Sequence, residues 1–349
     1  MFPYIVFIIF VFYFYYKKQP KFMLWTLIIF AAMRYDVGWD YTAYVDSINN
    51  PSQWKDAETS RHSFLWRELF RFAYHINFPH IGIIIPNILT YISIYWGLKK
   101  INLSKREISD ALFVYTTWSS LYLGSFSTIR QAFAMSIGFL LFAFVQNRQF
   151  TKSVLLYILA IILHPSAAVL IIIYPIYFIR SQLNFIWILS SVVIVCVLLY
   201  SLQAILMMLS FIEMDQYEVY LNSHDSFGGK IIFVNIGLVV YLSIVYLITK
   251  HINDVQRQSY FYTILSLFGN IVVYLIGLPN VISRTFLYFI IFMIIILLPS
   301  INKFKYRNYL RLIASTFLII YFFIYLYITR GGAEMASSGY IPYKFIFLQ

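Results

Sequence analysis

"IRQAFAMSIGFLLFAFVQ", residues 129–146, carries one charge, Arg130, in its first turn and nothing ionisable after it. At ~1.5 Å per residue, a helix of this length is about 27 Å long, close to the ~30 Å hydrocarbon core of a bilayer. The apolar run is continuous rather than alternating, so it reads as a membrane helix and not a barrel strand. Apolar runs recur at about 4–16, 22–34, 80–98, 109–124, 153–164, 166–179, 184–210, 231–249, 259–278, 282–299 and 311–329. The chain is 349 residues long, 61% hydrophobic and only 11% charged, with mean hydropathy +0.75. A soluble fold needs more polar surface than that. The expectation is an all-α polytopic integral membrane protein of about twelve transmembrane helices, forming one integral domain over 1–349.

The opening "MFPYIVFIIFVFYFYY" has no basic segment before it and no small-residue cleavage site, and Lys17 and Lys18 follow it. It reads as a first span with its N-terminus outside. The inner loops are then 17–21, 99–108, 147–152, 180–183, 250–258 and 300–311, and they hold sixteen of the 26 Lys and Arg residues. Their acids are few, and the outer side is nearly neutral. That is the positive-inside pattern, so the net charge of +12 is mostly topogenic and asks for no nucleic-acid partner. The sizeable outer segments are 35–79, 211–230 and a tail at 330–349. In the first, "RHSFLWRELFRFAYHINF" spaces Phe64, Leu65, Leu69, Phe72 and Ala73 as one face of an amphipathic helix along the outer leaflet. The single cysteine, Cys196, sits in an apolar run and reads as a small buried hydrophobe.

Several outer arginines are not needed for orientation. Arg130 and Gln131 open the 129–146 span, and Arg284 opens "RTFLYFI" with Tyr288 one turn later. A guanidinium near the end of a span suits phosphate or carboxylate, or it snorkels to lipid headgroups. Two such arginines facing one cavity would clamp a diphosphate. His164 and Pro165 interrupt "ILAIILHPSAAVLIII", as a tight turn or a broken helix that carries a base or a hydroxyl-binding group. "AAMRYDVGWDYTAYVDSI", residues 31–48, sets Arg34, Asp36, Asp40 and Tyr44 among aromatic rings. If it is helical, Asp36, Asp40 and Tyr44 share a face; otherwise it is an aromatic belt with solvated charges. Glu213, Asp215 and Glu218 form an acidic loop that reads as solvated or sugar-stacking. There is no HExxH, phosphate-binding glycine loop, Cys–His cluster or GxSxG element. Arginines, carboxylates, one histidine and aromatics facing outward suit a diphosphate-bearing, sugar-containing substrate.

The order of these elements, "RYDVGWDYTAY", "IRQAFA", "LHPSA", "RTFLYF" and a terminal "IPYKF", resembles the EpsG family of bacterial exopolysaccharide polymerases, related in role to Wzy-type O-antigen and capsule polymerases. The family's R-x-x-V-G-x-D-x-x-x-Y falls on Arg34, Val37, Gly38, Asp40 and Tyr44. Its R-Q falls on Arg130 and Gln131, its H-x-S-A on His164, Ser166 and Ala167, and its R-x-x-x-Y on Arg284 and Tyr288. The chain departs from the family's E-x-G-[FY] element, reading "RHSFLW" in its place.

The resemblance implies a glycosyltransferase-C-like, inverting enzyme in the bacterial cytoplasmic membrane, its active site facing outward. It would transfer a glycan from undecaprenyl diphosphate onto a new lipid-linked repeat unit. Asp40 or His164 would be the catalytic base. Arg34, Tyr44, Arg130, Gln131, Arg284 and Tyr288 would bind the diphosphate or glycan, with no metal or other cofactor. Partners would be undecaprenyl-diphosphate-linked oligosaccharides and membrane lipids, with a polysaccharide chain-length regulator admitted as a further one. The rival readings are a lipid-linked oligosaccharide flippase, an O-antigen ligase and a membrane acyltransferase. A flippase would carry charge through both halves of a cavity and show repeats, and neither is visible.

Overall fold

The computed structural model describes residues 1–53, 63–184, 186–187, 190, 228–249, 252–276, 280–329 and 339–347. Arg61, His62, Cys196, Glu213, Asp215, Glu218, most of the 211–230 segment and residues 330–338 lie outside the described residues. The chain divides into two compact units, Met1–Ala168 with Phe304–Gln349, and Val169–Lys303.

The first unit runs α1 (Phe2–Tyr16), α2 (Pro20–Ala32), β1 (Arg34–Tyr35), α3 (Tyr41–Asn49), α4 (Phe64–His75), α5 (Ile81–Lys100), α6 (Lys105–Thr117), α7 (Ser119–Tyr122), α8 (Gly124–Ser127), α9 (Ile129–Gln146) and α10 (Phe150–Leu163). The second holds α11 (Ile173–Phe178), α12 (Gly228–Ile248), α13 (Asp254–Ile276), α14 (Asn280–Ile290) and α15 (Met293–Ile296). The chain then returns to the first unit with α16 (Arg307–Ile328) and β2 (Lys344–Phe345). Among the described residues, four helical stretches are long and apolar enough to cross a membrane: Ile81–Lys100, Ile129–Gln146, Ser283–Asn302 and Arg307–Ile328. Phe2–Tyr16, Pro20–Ala32, Phe150–Leu163, Pro165–Phe178 and Ile232–Ile248 are shorter apolar helices. The protein is a helical integral membrane protein.

Local chemistry ends the helices sharply. Lys18, Asn77 and Arg148 take left-handed φ values of 54°, 52° and 56° just past α1, α4 and α9. In each case the next N–H reaches back five residues: Gln19 to Phe14 O at 2.9 Å, Phe78 to Ala73 O at 3.2 Å and Gln149 to Phe144 O at 3.0 Å. These are Schellman closures, which satisfy carbonyls that the helix end leaves over. The start of α6 is a capping box, in which Ser104 Oγ accepts from Glu107 N and Glu107 Oε2 accepts from Ser104 N. Gly97 lets α5 approach α9, because a Cβ there would stand 2.7 Å from the Phe139 ring.

One end of the first unit gathers the basic turns. Arg106 Nη2 donates to Tyr15 Oη at 3.0 Å, and Asn147 Nδ2 to the Lys100 carbonyl at 2.8 Å. Fully buried Asp110 takes Arg106 at 3.2 Å and Arg311 at 3.3 Å. The opposite end gathers β1, α3, α4, the α6–α9 connection, the end of α10 and the 339–347 segment.

The α6–α9 connection is broken backbone at depth. Trp118 is extended, with ψ 92°, and the four-residue turns α7 and α8 follow it. Such backbone is tolerated in a membrane protein only where it is buried in protein or lines a cavity. Here Trp118, Leu121, Tyr122, Leu123 and Phe126 are all buried.

Candidate active site

The chain leaves α2 in extended form, and Arg34–Tyr35 pair antiparallel with Lys344–Phe345. The 339–347 segment is strapped on by Ile346 N to Met33 O at 2.9 Å, Gly38 N to Gly339 O at 3.2 Å, and Tyr4 Oη to Tyr340 O at 2.6 Å. Tyr343 Oη also donates to the Phe30 carbonyl. Gly38, at φ +109°, is required here: a Cβ would lie 2.6 Å from the Phe126 carbonyl oxygen.

That close approach encloses Arg34, which is 1% exposed. Its Nη1 donates to Asn87 Oδ1 and its Nη2 to the Phe126 carbonyl, both at 3.4 Å, and the guanidinium lies 4.2 Å from the centre of the Phe126 ring. Asn87 is itself held by Nδ2 to Ile83 O at 2.6 Å. Among the described residues Arg34 makes no ion pair. Burial lowers its pKa from the usual arginine value, yet an arginine stays charged.

Helix α3 begins only at Tyr41, so Asp36 does not share its face. Asp36 sits in a left-handed turn at φ +50°, where Lys344 Nζ meets Oδ2 at 2.6 Å. Asp40 and Tyr44 are one turn apart, with Tyr44 N bonded to Asp40 O at 3.0 Å. Asp40 is exposed and lies at the N-cap position without capping α3 through its side chain. Tyr44 is buried, and the Arg130 guanidinium is near enough for its charge to act on the phenol. Burial raises the Tyr44 pKa and the Arg130 charge opposes the rise, while the Asp40 charge acts on both Tyr44 and Tyr340. Trp39 N donates to Ser127 Oγ at 3.0 Å, and Ser127 Oγ meets Tyr340 Oη at 3.0 Å. Two stretches far apart in sequence, around Asp40 and around Arg130, therefore form one surface. Arg130 is half-buried and Gln131 is buried.

The α9–α10 hairpin turns at 147–149, so the start of α9 and the end of α10 lie at the same end. Helix α10 stops at Leu163, whose carbonyl accepts from Trp66 Nε1 of α4 at 2.9 Å. His164 is extended, and Pro165 opens a 3₁₀ stretch to Ile172. Ser166 Oγ and His164 Nδ1 are 2.6 Å apart, which fixes the ring and leaves Nε2 as its other polar edge. Trp66 packs on Phe70 and Phe70 on Tyr44, so the histidine turn connects through rings to α3. On α4 the buried residues are Trp66, Phe70 and Ala73, while Phe64, Leu65 and Phe72 are exposed.

In the second unit, Arg284 is exposed near the start of α14 and Tyr288 is fully buried. Helix α14 lies tight on α13, with Ser266 Oγ donating to Phe286 O at 2.7 Å and the Phe286 ring 2.4 Å from where a Gly269 Cβ would be.

The model of the EpsG family matches residues 22–345. The chain belongs to the EpsG family. No curated protein and no solved structure matches it. The match takes in both strands of the β1–β2 pair, which in this EpsG-family chain ties the 339–347 segment to the stretch after α2. Sequence reasoning missed Asn87, Ser127, Tyr340, Lys344 and His80, whose Nδ1 lies 2.6 Å from Tyr41 Oη. An asparagine after Pro86 in an apolar helix and the hydroxyl run "SFST" were visible signals; His80 and Tyr340 gave none.

Proposed function

We propose that the protein is a membrane-embedded inverting glycosyltransferase of about twelve spans with a glycosyltransferase-C-like fold. It polymerises undecaprenyl-diphosphate-linked repeat units at the outer face of the bacterial cytoplasmic membrane. The observation that carries the reading is the convergence of Asp40 and Tyr44 with Arg130, at the end of the first unit opposite the lysine- and arginine-rich turns. By the positive-inside rule that end is the outer one.

Departure of a lipid diphosphate builds negative charge, and the half-buried Arg130 guanidinium beside Tyr44 stabilises it. Gln131 and Tyr44 position the headgroup or first sugar. The sugar centre becomes oxocarbenium-like, and the attacking hydroxyl gives its proton to Asp40 or to His164 Nε2. Exposure favours Asp40 as the group that meets an acceptor arriving from water. Arg34, enclosed and bonded to Asn87 and Phe126, holds the floor of this surface.

Purified protein supplied only with a synthetic undecaprenyl-diphosphate repeat unit should give a gel ladder of lengthening glycans. No elongation of the native repeat overturns the reading. A flippase moves the substrate without lengthening it, and a ligase or acyltransferase needs a different acceptor. Arg130→Ala and Asp40→Asn should each lower elongation by at least ~100-fold, the usual scale for losing a charge-stabilising or acid–base group.

A further inference from the structure

Ser127 Oγ departs from the habit of the hydroxyls around it. Inside helical turns a serine or threonine hydroxyl commonly bonds back to a carbonyl three or four residues earlier. Ser125 Oγ does so to Tyr122 O at 2.6 Å, Thr128 Oγ1 to Gly124 O at 3.0 Å and Ser136 Oγ to Phe133 O at 2.7 Å. Buried Ser127 instead accepts from Trp39 N and meets Tyr340 Oη, both at 3.0 Å. Trp39 directly precedes Asp40, and Ser127 stands three residues before Arg130. The Trp39–Ser127 bond therefore ties together the two stretches of the candidate site, and a phenol from the far end of the chain draws Ser127 into it.

Docking of the 339–347 segment does not need that phenol. The β1–β2 pairing, Ile346 N to Met33 O, Gly38 N to Gly339 O and the Lys344–Asp36 ion pair hold the segment without it. Tyr340 itself is fixed through its carbonyl, by Tyr4 Oη, and through its ring, which lies 6.4 Å from the Tyr325 ring. Burial raises its pKa well above the usual phenol value, so it stays a neutral hydroxyl. We propose that Tyr340 is a positioning residue: by holding Ser127 Oγ toward the Trp39 amide, it sets the turn that carries Asp40 against the turn that carries Arg130. Without the phenol, Ser127 reverts to a local back-bond, the Trp39 amide loses its acceptor and Asp40 loses its fixed place. The consequence for rate rests on the reading of Asp40 and Arg130 as an elongation site; the structural consequence does not.

Two measurements keep these apart. Residue-resolved hydrogen exchange on the full-length protein in nanodiscs reads the tie without any substrate. In Tyr340→Phe the Trp39 amide should exchange about tenfold faster, while Gly38, bonded to the Gly339 carbonyl, keeps its rate. Faster exchange at both would mean that the segment has come loose, and unchanged exchange at Trp39 that the phenol does not hold Ser127; either overturns the proposal. In the elongation assay, Tyr340→Phe and Ser127→Ala should each lower kcat about tenfold, the loss of roughly one hydrogen bond, with KM within about twofold because both residues are buried. The double variant should be no slower than Ser127→Ala, since the two side chains act in series. Losses that multiply to about a hundredfold, unchanged elongation by Tyr340→Phe, or a raised KM at constant kcat overturns the proposal. If the unmodified protein elongates nothing, the polymerase reading fails, and faster exchange at Trp39 alone still establishes the tie.

Discussion

Arg34 and Arg130 look alike in sequence, each next to a helix end on the outer side, yet the fold treats them differently. Arg34 is sealed behind Gly38 and bonded to Asn87 and Phe126, residues 53 and 92 positions away. Arg130 is half-buried beside Tyr44 and the exposed Asp40. Nothing local to either arginine encodes that difference, so their presence was legible and their direction was not. Arg34→Lys should cost about 1–3 kcal/mol of stability, because an ammonium cannot span two acceptors as the planar fork does. Arg130→Ala should leave the unfolding midpoint unchanged while removing elongation. Thermal unfolding in detergent, set beside the gel assay, separates the two.

His80 extends the argument to pH. Its Nδ1 meets Tyr41 Oη at 2.6 Å, between the rings of Tyr35, Tyr41 and Phe78, and the charges acting on Tyr41 are Arg34 first and then Asp36. Burial lowers its pKa below 6.5, so the unfolded chain binds the proton more readily. The stability this contributes is present above pH ~6.5 and is lost as pH falls through and below that value. The unfolding midpoint should therefore drop between pH 7.5 and 5, and His80→Gln should flatten the profile. A midpoint that rises on acidification would contradict the burial argument.

At the scale of elements, the apolar runs announce the helices, and Pro20 and "SKRE" announce two of their starts. Some of the ends are hidden. Lys18 and Arg148 read as topogenic charges, and only the structure shows them in left-handed turns closing α1 and α9. The break after α6 leaves only a partial mark in sequence: six of the eleven residues from Trp118 to Thr128 are Ser, Thr or Gly, yet the apolar run reads on to 124. Asp110 is the acid that the span pattern should exclude, and two arginines from different elements hold it. Arg106 also lies 4.5 Å over the Tyr15 ring, so the cluster joins α1, α6 and α16. Asp110→Ala strands two partly buried cations and should cost ~3–5 kcal/mol, the scale for breaking a buried pair. Replacing Asp110, Arg106 and Arg311 together with apolar residues should recover most of that loss. A chemical-denaturation series over the unmodified protein and these two variants measures both effects.

For the whole molecule, the basic loops carry more information than any motif. The sequence assigned Lys17, Lys99, Lys105, Arg148, Lys152 and Arg307 to one side from span counting alone. Within the first unit, contacts from Arg106 to Tyr15, Asn147 to Lys100 and Arg311 to Asp110 gather that side into one end. The site could be read in part for the same reason: Asp40, Tyr44, Arg130 and His164 fall at the other end once the spans alternate. The terminal "IPYKF" was legible as one of the ordered elements, but where the 339–347 segment docks was not, because a short polar-aromatic stretch has no periodicity to show it. Orientation is then a testable property of the assembled chain. In a Cys196→Ser background, Asp40→Cys, exposed beside Arg130, should react with a membrane-impermeant maleimide added to intact cells. Ser104→Cys, in the turn between Lys100 and Lys105, should react only after the membrane is opened. Since each unfavourably placed Lys or Arg weighs against inversion, substituting the basic turns at 17–21 and 99–106 with Gln should produce a mixed population labelled at both sites. The reverse labelling pattern in the unmodified background would place Asp40 and Arg130 in the cytoplasm, away from lipid-linked glycans that have already crossed the membrane, and would end the case for an outward-acting polymerase.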